Sequence, residues 1–323
     1  TESCFASPFA MPAPSSASSR IAGVLPIAHT PFRENDSIDE DSLARQIDWA
    51  FKHGADGYGT GMVSELLRLT ADERVQLTQM LGRLKRGRGV FFAGIGAEST
   101  AQAIAYGRAA EEAGADAVMA IPPTTTALPE TALCEYFATI AKQVHLPLIV
   151  QDASSYVGRE IPLAVSVRLL DDFGPDRILF KPEANPLGPN LSLLRDGTGG
   201  RARIFEGSGG IALVDSYRRG IVGTMPGMEF LPAIVALWRA LERRDEDAVY
   251  RLSLPICALV SLQLQAGLDG FLAVEKHLLH RQGLFETDRR RKPYKWSLDR
   301  ETIEELDRLM ERLNEAVAET CDD

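Results

Sequence analysis

The sequence predicts an α/β protein of the (β/α)8 barrel class, a TIM barrel, with a helical appendage at its C-terminal end. From Gly23 onward, eight short apolar runs alternate with longer amphipathic segments, which is the pattern of strands and helices around a parallel sheet. Most runs recur at roughly 25 to 33 residues, enough for one strand, one helix and two loops. A doubly wound open sheet is the competing architecture, but the GxGxxG turn expected after its first strand is absent.

The runs begin near Val24 (VLPIAHTPF), Gly57 (GYGTG), Val90 (VFFAGIG), Ala117 (AVMAIPP), Pro147 (PLIVQD), Ile178 (ILFKPE), Arg203 (RIFEGSG) and Ile221 (IVGTM). Between them, Ser37 to Glu40 and Thr70 to Glu73 have the spacing of capping boxes that start helices. After Arg243 the strand signal stops, and three helical stretches are expected at 245–265, 270–281 and 298–318. The last carries Ile303, Leu306, Leu309, Met310 and Leu313 at the spacing of one buried face. The expected organisation is a barrel at 21–243 and a helical region at 244–323. Residues 1–20 are rich in Ser, Pro and Ala without the basic start and apolar centre of a secretory signal, and read as a flexible tail.

Composition narrows the function. With 323 residues, 45% hydrophobic and 25% charged, the chain can bury a large core. A net charge of −10 repels nucleic acid and anionic membrane surfaces, so the expected partner is a diffusible small molecule. Cys4, Cys134, Cys257 and Cys321 stand alone, without CxxC spacing, which fits a reducing cytoplasm. No run of about 18 apolar residues suggests a membrane span. The one basic block, Arg289 to Lys292, reads as a solvated surface turn. His277 and His280 share a helix face but lack a third ligand, so no metal is expected.

In a barrel of this class the reacting groups sit at the C-terminal ends of the strands. Lys181 ends the run Ile178-Leu179-Phe180, where apolar neighbours would hold its amine in the barrel mouth. Burial disfavours the ammonium form of a lysine, and a neutral amine is a nucleophile suited to condensing with a ketone. By residues alone, Lys181 could equally reach solvent or pair with Glu183.

The segments GVLPIAHTPF, GMVSELLRLTADER, AGIGAEST, ILFKPEA, FEGSGG and GIVGTMPG together resemble the dihydrodipicolinate synthase and N-acetylneuraminate lyase superfamily, over nearly the whole chain from Gly23. The resemblance implies that Lys181 forms an imine with the keto carbon of pyruvate or a related 2-oxo acid. It implies that Gly61-Met62-Val63-Ser64-Glu65 matches the substrate-carboxylate loop, normally Gly-Thr-Thr-Gly-Glu. Backbone amides of Met62, Val63 and Ser64 would then hold the carboxylate. Glu65 is a catalytic candidate, or an acidic residue that complements a helix start. Gly207 and Met225 would shape the pocket.

One departure bears on the reaction. Where the family carries Tyr-Asn-x-Pro with a proton-relaying tyrosine, this chain reads Gln151-Asp152-Ala153-Ser154. Gln151 can orient a carbonyl or hydroxyl but has no proton to titrate. The loop Pro122 to Thr126 also lacks the family's second tyrosine. Asp152, Glu183, His29 and Tyr156 are the groups that could take over, with Asp152 also expected to bind substrate. The expected function is a Schiff-base lyase or aldolase of 2-oxo acids that is not a true dihydrodipicolinate synthase. Dehydration of a 2-keto-3-deoxy sugar acid, or deamination, are alternatives on the same chemistry. A non-catalytic 2-oxo acid-binding barrel is the alternative of another class. No cofactor is expected, since the imine itself is the electron sink, and the family's habit implies a homotetramer or dimer.

Overall fold

A computed structural model of the chain describes residues 21–322, so the expected N-terminal tail lies outside the described residues. Eight strands follow in chain order: β1 (Gly23–Val24), β2 (Gly57–Gly59), β3 (Val90–Gly94), β4 (Ala117–Ala120), β5 (Leu148–Asp152), β6 (Ile178–Pro182), β7 (Phe205–Glu206) and β8 (Gly223–Thr224). Each lies in one of the eight expected runs. All pair in parallel, five in the order β2-β3-β4-β5-β6 and three in the order β1-β8-β7. Parallel bridges Ile27↔Gly59 and Phe180↔Ile204 join the two arcs into a closed barrel.

The pleat sorts the side chains of each strand between two cores. Val90, Phe92, Ile149, Leu179 and Phe205 fill the barrel interior, while their neighbours Phe91, Leu148, Val150, Ile178 and Phe180 pack outward among the helices. The same alternation carries Gln151 and Lys181 inward at the ends of β5 and β6, where they stand side by side in register.

The outer ring is α1 (Glu40–Lys52), α2 (Ala71–Lys85), α3 (Thr100–Glu112), α4 (Glu130–Gln143), α5 (Leu163–Phe173), α6 (Leu187–Gly197), α7 (Leu213–Arg218) and α8 (Leu231–Arg243). The expected capping box at α2 forms: Thr70 Oγ1 accepts from the Glu73 N–H at 3.2 Å and Glu73 Oε2 accepts from the Thr70 N–H at 2.8 Å. The one expected at Ser37 does not. Asp39 caps α1 instead, accepting from the Asp41 N–H at 3.2 Å and from Ser42 Oγ at 2.5 Å. An aspartate two residues nearer the first helical turn reaches its free N–H groups before Ser37 can.

Three further helices complete the described chain: α9 (Glu246–Gln263), α10 (Leu268–Arg281) and α11 (Arg300–Asp322). The segment Glu246–Ala266 is the one described helix long and apolar enough to cross a membrane. Its Val249, Leu252, Ile256 and Val260 pack into the same core as the barrel helices. Leu306 and Leu313 of α11 close over that core, with Leu309 and Met310 half-buried beside them.

The basic block is not a solvated turn. Arg291 pairs with Glu73 at 2.8 Å, lies 4.5 Å over the Phe32 ring, and donates its backbone N–H to Glu65 at 2.8 Å. Arg290 stacks 4.0 Å over Tyr294 and donates to the Trp296 carbonyl at 2.9 Å. Thr287 and Lys295 pin the same segment to Phe32 and Asp269. The result is a strap bound across the barrel. Its partners on Glu65 and Glu73 are more than 200 residues away in sequence, beyond the reach of a local reading of charge.

Candidate active site

Lys181 and Gln151 point into the barrel mouth because the pleat leaves them no other direction. Lys181 is 4% exposed, and its Nζ lies 3.4 Å from Glu183 Oε1. The other Glu183 oxygen accepts from Gln151 Nε2 at 2.6 Å. Burial raises the pKa of Glu183, against the opposing pull of Lys181 and the Gln151 amide. A lysine, a carboxyl and a carboxamide are thus joined in one buried chain of contacts.

Room above this chain is kept by a missing side chain. A Cβ on Gly207 would stand 2.3 Å from Lys181 Cε and 2.5 Å from Glu183 Oε1, closer than atoms pack. The resulting cavity holds about 390 Å³, counting the space open to solvent. Gln151, Lys181, Glu183, Tyr156 and Glu275 supply its polar lining. Met62, Val63, Met225, Leu268 and Phe271 supply the apolar wall.

Six of the nine expected site residues therefore meet at one cavity: Lys181, Gln151, Met62, Val63, Gly207 and Met225. Ser64, Glu65 and Asp152 do not line it. The Ser64 hydroxyl donates to the Ala28 carbonyl and accepts from the Gly61 N–H, and its own N–H closes the turn onto the Gly61 carbonyl at 3.1 Å. That leaves the first two amides of the turn, Met62 and Val63, which have no acceptor within a helical turn. Asp152 accepts from the Ser154 and Ile161 N–H groups at 3.0 and 2.7 Å, holding the loop after β5. Short polar side chains at such ends serve the nearby backbone before they serve a ligand.

Glu65 corrects the expectation in another way. It sits at φ 58°, the left-handed region, and its buried carboxylate is ion-paired with the fully buried Lys276 of α10. Its second oxygen accepts the Arg291 N–H. Glu65 thus fixes the turn from Gly61 to Ser64 against the C-terminal helices and the strap, contacts that position the turn and keep Glu65 out of the cavity lining.

Glu275 and Glu229 were not expected from the sequence, whereas His29 and Tyr156 were among the groups that could take over from the missing tyrosine. Glu275 lines the cavity, and behind it His29 Nε2 lies 2.8 Å from Glu275 Oε2. Glu229, just before α8, accepts from Gln263 at 2.8 Å. All three are buried. Burial lowers the His29 pKa to about 4 and raises Glu275 to about 8. Burial and then the charge of Glu275 raise Glu229 to about 7. Single atoms of the three lie within 4.8 Å of one another, a grouping that could hold a metal ion, although His29 and Glu275 already satisfy each other. Tyr156 packs edge-on to Phe271 at 5.6 Å, and burial holds its phenol well above the usual range. One signal was available for Glu275 and Lys276: in FLAVEKHLL the two charges and His277 lie between apolar runs on both sides, the mark of a largely buried helix.

Known proteins agree with this architecture. The model of the dihydrodipicolinate synthetase family matches residues 20–174. A solved dihydrodipicolinate synthase from Rhodopseudomonas palustris superposes with a TM-score of 0.82 at 26% identity, over 91% of this chain and 98% of that one. The L-2-keto-3-deoxyarabonate dehydratase of Azospirillum brasilense is 28% identical over 288 residues, 86% of this chain and 90% of that protein. The 4-hydroxy-tetrahydrodipicolinate synthase of Chloroherpeton thalassium is 30% identical over 146 residues, and the chain spans only 48% of its length, about half. In its closed parallel barrel, in the lysine at the end of its sixth strand and in these matches, the chain is similar to the dihydrodipicolinate synthase family.

Proposed function

We propose that the protein is a lyase that forms an imine between Lys181 and a 2-oxo acid, and that it dehydrates a 2-keto-3-deoxy sugar acid. The observation that carries the reading is Lys181, buried at the cavity floor between Glu183 and the clearance left by Gly207. In this reading the substrate carboxylate is held by the Met62 and Val63 amides. Glu183 takes a proton from the Lys181 ammonium, and the freed amine attacks the keto carbon. Glu183 returns the proton to the carbonyl oxygen, so that two ammonium protons leave with that oxygen as water and a protonated imine remains. The imine acidifies the C3 protons, and the Glu183 carboxylate, oriented by Gln151, removes one.

The sequence resemblance implies that Gln151 replaces the titrating tyrosine of the family's synthases, and this reading argues against dihydrodipicolinate synthesis. Dehydration is favoured over aldol cleavage by two observations. The cavity is lined by several groups that bind or protonate hydroxyls, Gln151, Tyr156, Glu183 and Glu275. The dehydratase of Azospirillum brasilense also matches across nearly its full length. We place the enzyme in the cytoplasm, in keeping with the free thiols of Cys134 and Cys257, and as a homo-oligomer.

The test is incubation with pyruvate or a 2-keto-3-deoxypentonate, reduction with borohydride and peptide mass mapping, alongside assays for water loss and for pyruvate release. The expected result is an adduct on Lys181 and dehydration of the pentonate. No adduct with any 2-oxo acid would sink imine chemistry and leave a binding protein. Pyruvate release in place of dehydration would make the enzyme an aldolase.

A further inference from the structure

We propose that Glu275 is the proton donor to the leaving hydroxyl, with Glu229 and His29 behind it as its proton reserve, a role that rests on the dehydratase reading above. Glu275 is 2% exposed and reaches the cavity from α10, across from Lys181. The cations near it are spoken for: Lys276 is paired with Glu65 and donates to the Arg289 carbonyl, and Lys181 is matched to Glu183.

Glu275 faces a second carboxyl. A Cβ on Gly227 would stand 2.2 Å from Glu229 Oε2 and 2.8 Å from Glu275 Oε1, so the two oxygens converge on one point. Like charges this close, both withdrawn from water, do not ionise together. The pair therefore keeps a proton, and Glu229 Oε2 has no hydrogen-bond partner to hold a charge. His29 contacts the pair from the loop after β1 through Nε2, and its Nδ1 is likewise unpartnered. The charged groups around Glu275 are thus Glu229, His29, Glu65, Lys276 and Lys181, with the Tyr156 phenol beside it. Burial, opposed by Lys276 and Lys181 and aided by Glu65, raises Glu275 to about 8, so it is a carboxylic acid at neutral pH. The other candidates are poorer donors. Gln151 has no titrating proton, and burial keeps the Tyr156 phenol from releasing its own.

The step balances. Once a C3 proton has gone to Glu183, the C2=C3 pair of the enamine moves to form C3=C4 as the protonated imine re-forms. The C4–O bond breaks, and the oxygen takes the Glu275 proton and departs as water. The proton taken from C3 restores the count, and the net loss is one water.

The test uses the full chain and a 2-keto-3-deoxypentonate. Glu275→Gln should lower the kcat of dehydration at least 100-fold, within the range that general acids contribute, while borohydride still traps substrate on Lys181. The wild-type rate should fall as pH rises through about 8, because the donor must be protonated. Glu229→Gln should move that alkaline limb to lower pH, since removing the facing charge makes Glu275 easier to ionise. A rate within threefold of wild type in Glu275→Gln, or loss of trapping in that variant while it stays folded, would overturn the proposal. If Glu275→Gln does not fold, an alkaline limb that stays in place in Glu229→Gln overturns it instead. Failure of trapping in the wild type would strike the Lys181 reading rather than this one.

Discussion

Gly207 shows how a single residue decides whether the lysine is usable. Its backbone is not in a region that only glycine adopts, so an alanine there meets no backbone strain. It meets Lys181 Cε at 2.3 Å and the Glu183 carboxyl at 2.5 Å. Gly207→Ala should therefore displace both groups from the cavity floor. Imine formation should drop at least tenfold to 100-fold in single-turnover trapping, a loss typical of misplacing a reacting group by about 1 Å. The melting temperature should change little by comparison. Wild-type trapping rates in this variant would show that Gly207 clears no space that the reaction needs. The sequence placed Gly207 at the pocket but could not say what it faced, because a distance from a glycine just after β7 to a lysine on β6 exists only once the strands are assembled.

At the scale of the element, most of what the sequence predicted came true where the signal was local. The α2 capping box closes within four residues, and both of its hydrogen bonds formed. At α1 the choice lay between two capping residues two positions apart, and the nearer one won. Asp39→Ala should cost about 1 kcal/mol in urea unfolding, the usual cost of a lost N-cap. Ser37→Ala should stay within about 0.5 kcal/mol, as for a surface substitution. An equal cost for the two would restore Ser37 as the cap. Helix α10 marks the limit of such local reading. The apolar residues around its Glu275-Lys276 pair mark the helix as buried but do not say what the two charges face.

Across the whole molecule, the C-terminal helices and the strap behave as part of the site rather than as an appendage to it. Lys276 of α10 and the backbone of Arg291 hold Glu65, and Glu65 shapes the loop whose Met62 and Val63 line the cavity. Lys276→Ala should destabilise the protein by about 3 to 5 kcal/mol, because it leaves a buried carboxylate without its cation. The double variant Lys276→Met with Glu65→Leu should recover most of that loss in urea unfolding, since neither charge of the pair is left buried without its partner. It should still bind a 2-oxo acid more weakly, as the loop loses its anchor. A single variant as stable as wild type would mean that the pair does not tie the two regions together.

The sequence by itself determined the barrel, because eight apolar runs at near-constant spacing have few other ways to bury themselves. It also placed Lys181 and Gln151 at strand ends, while their inward direction followed only from the paired pleat, which has a period of two. Only the tertiary structure decided which polar groups remained available to a substrate. It committed Ser64 and Asp152 to the backbone and Glu65 to Lys276, and it brought Glu275, Glu229 and His29 together from three distant segments. The reason is physical: periodicity is a property of neighbours along the chain, whereas the partner of a buried charge is set by whichever segment folds over it.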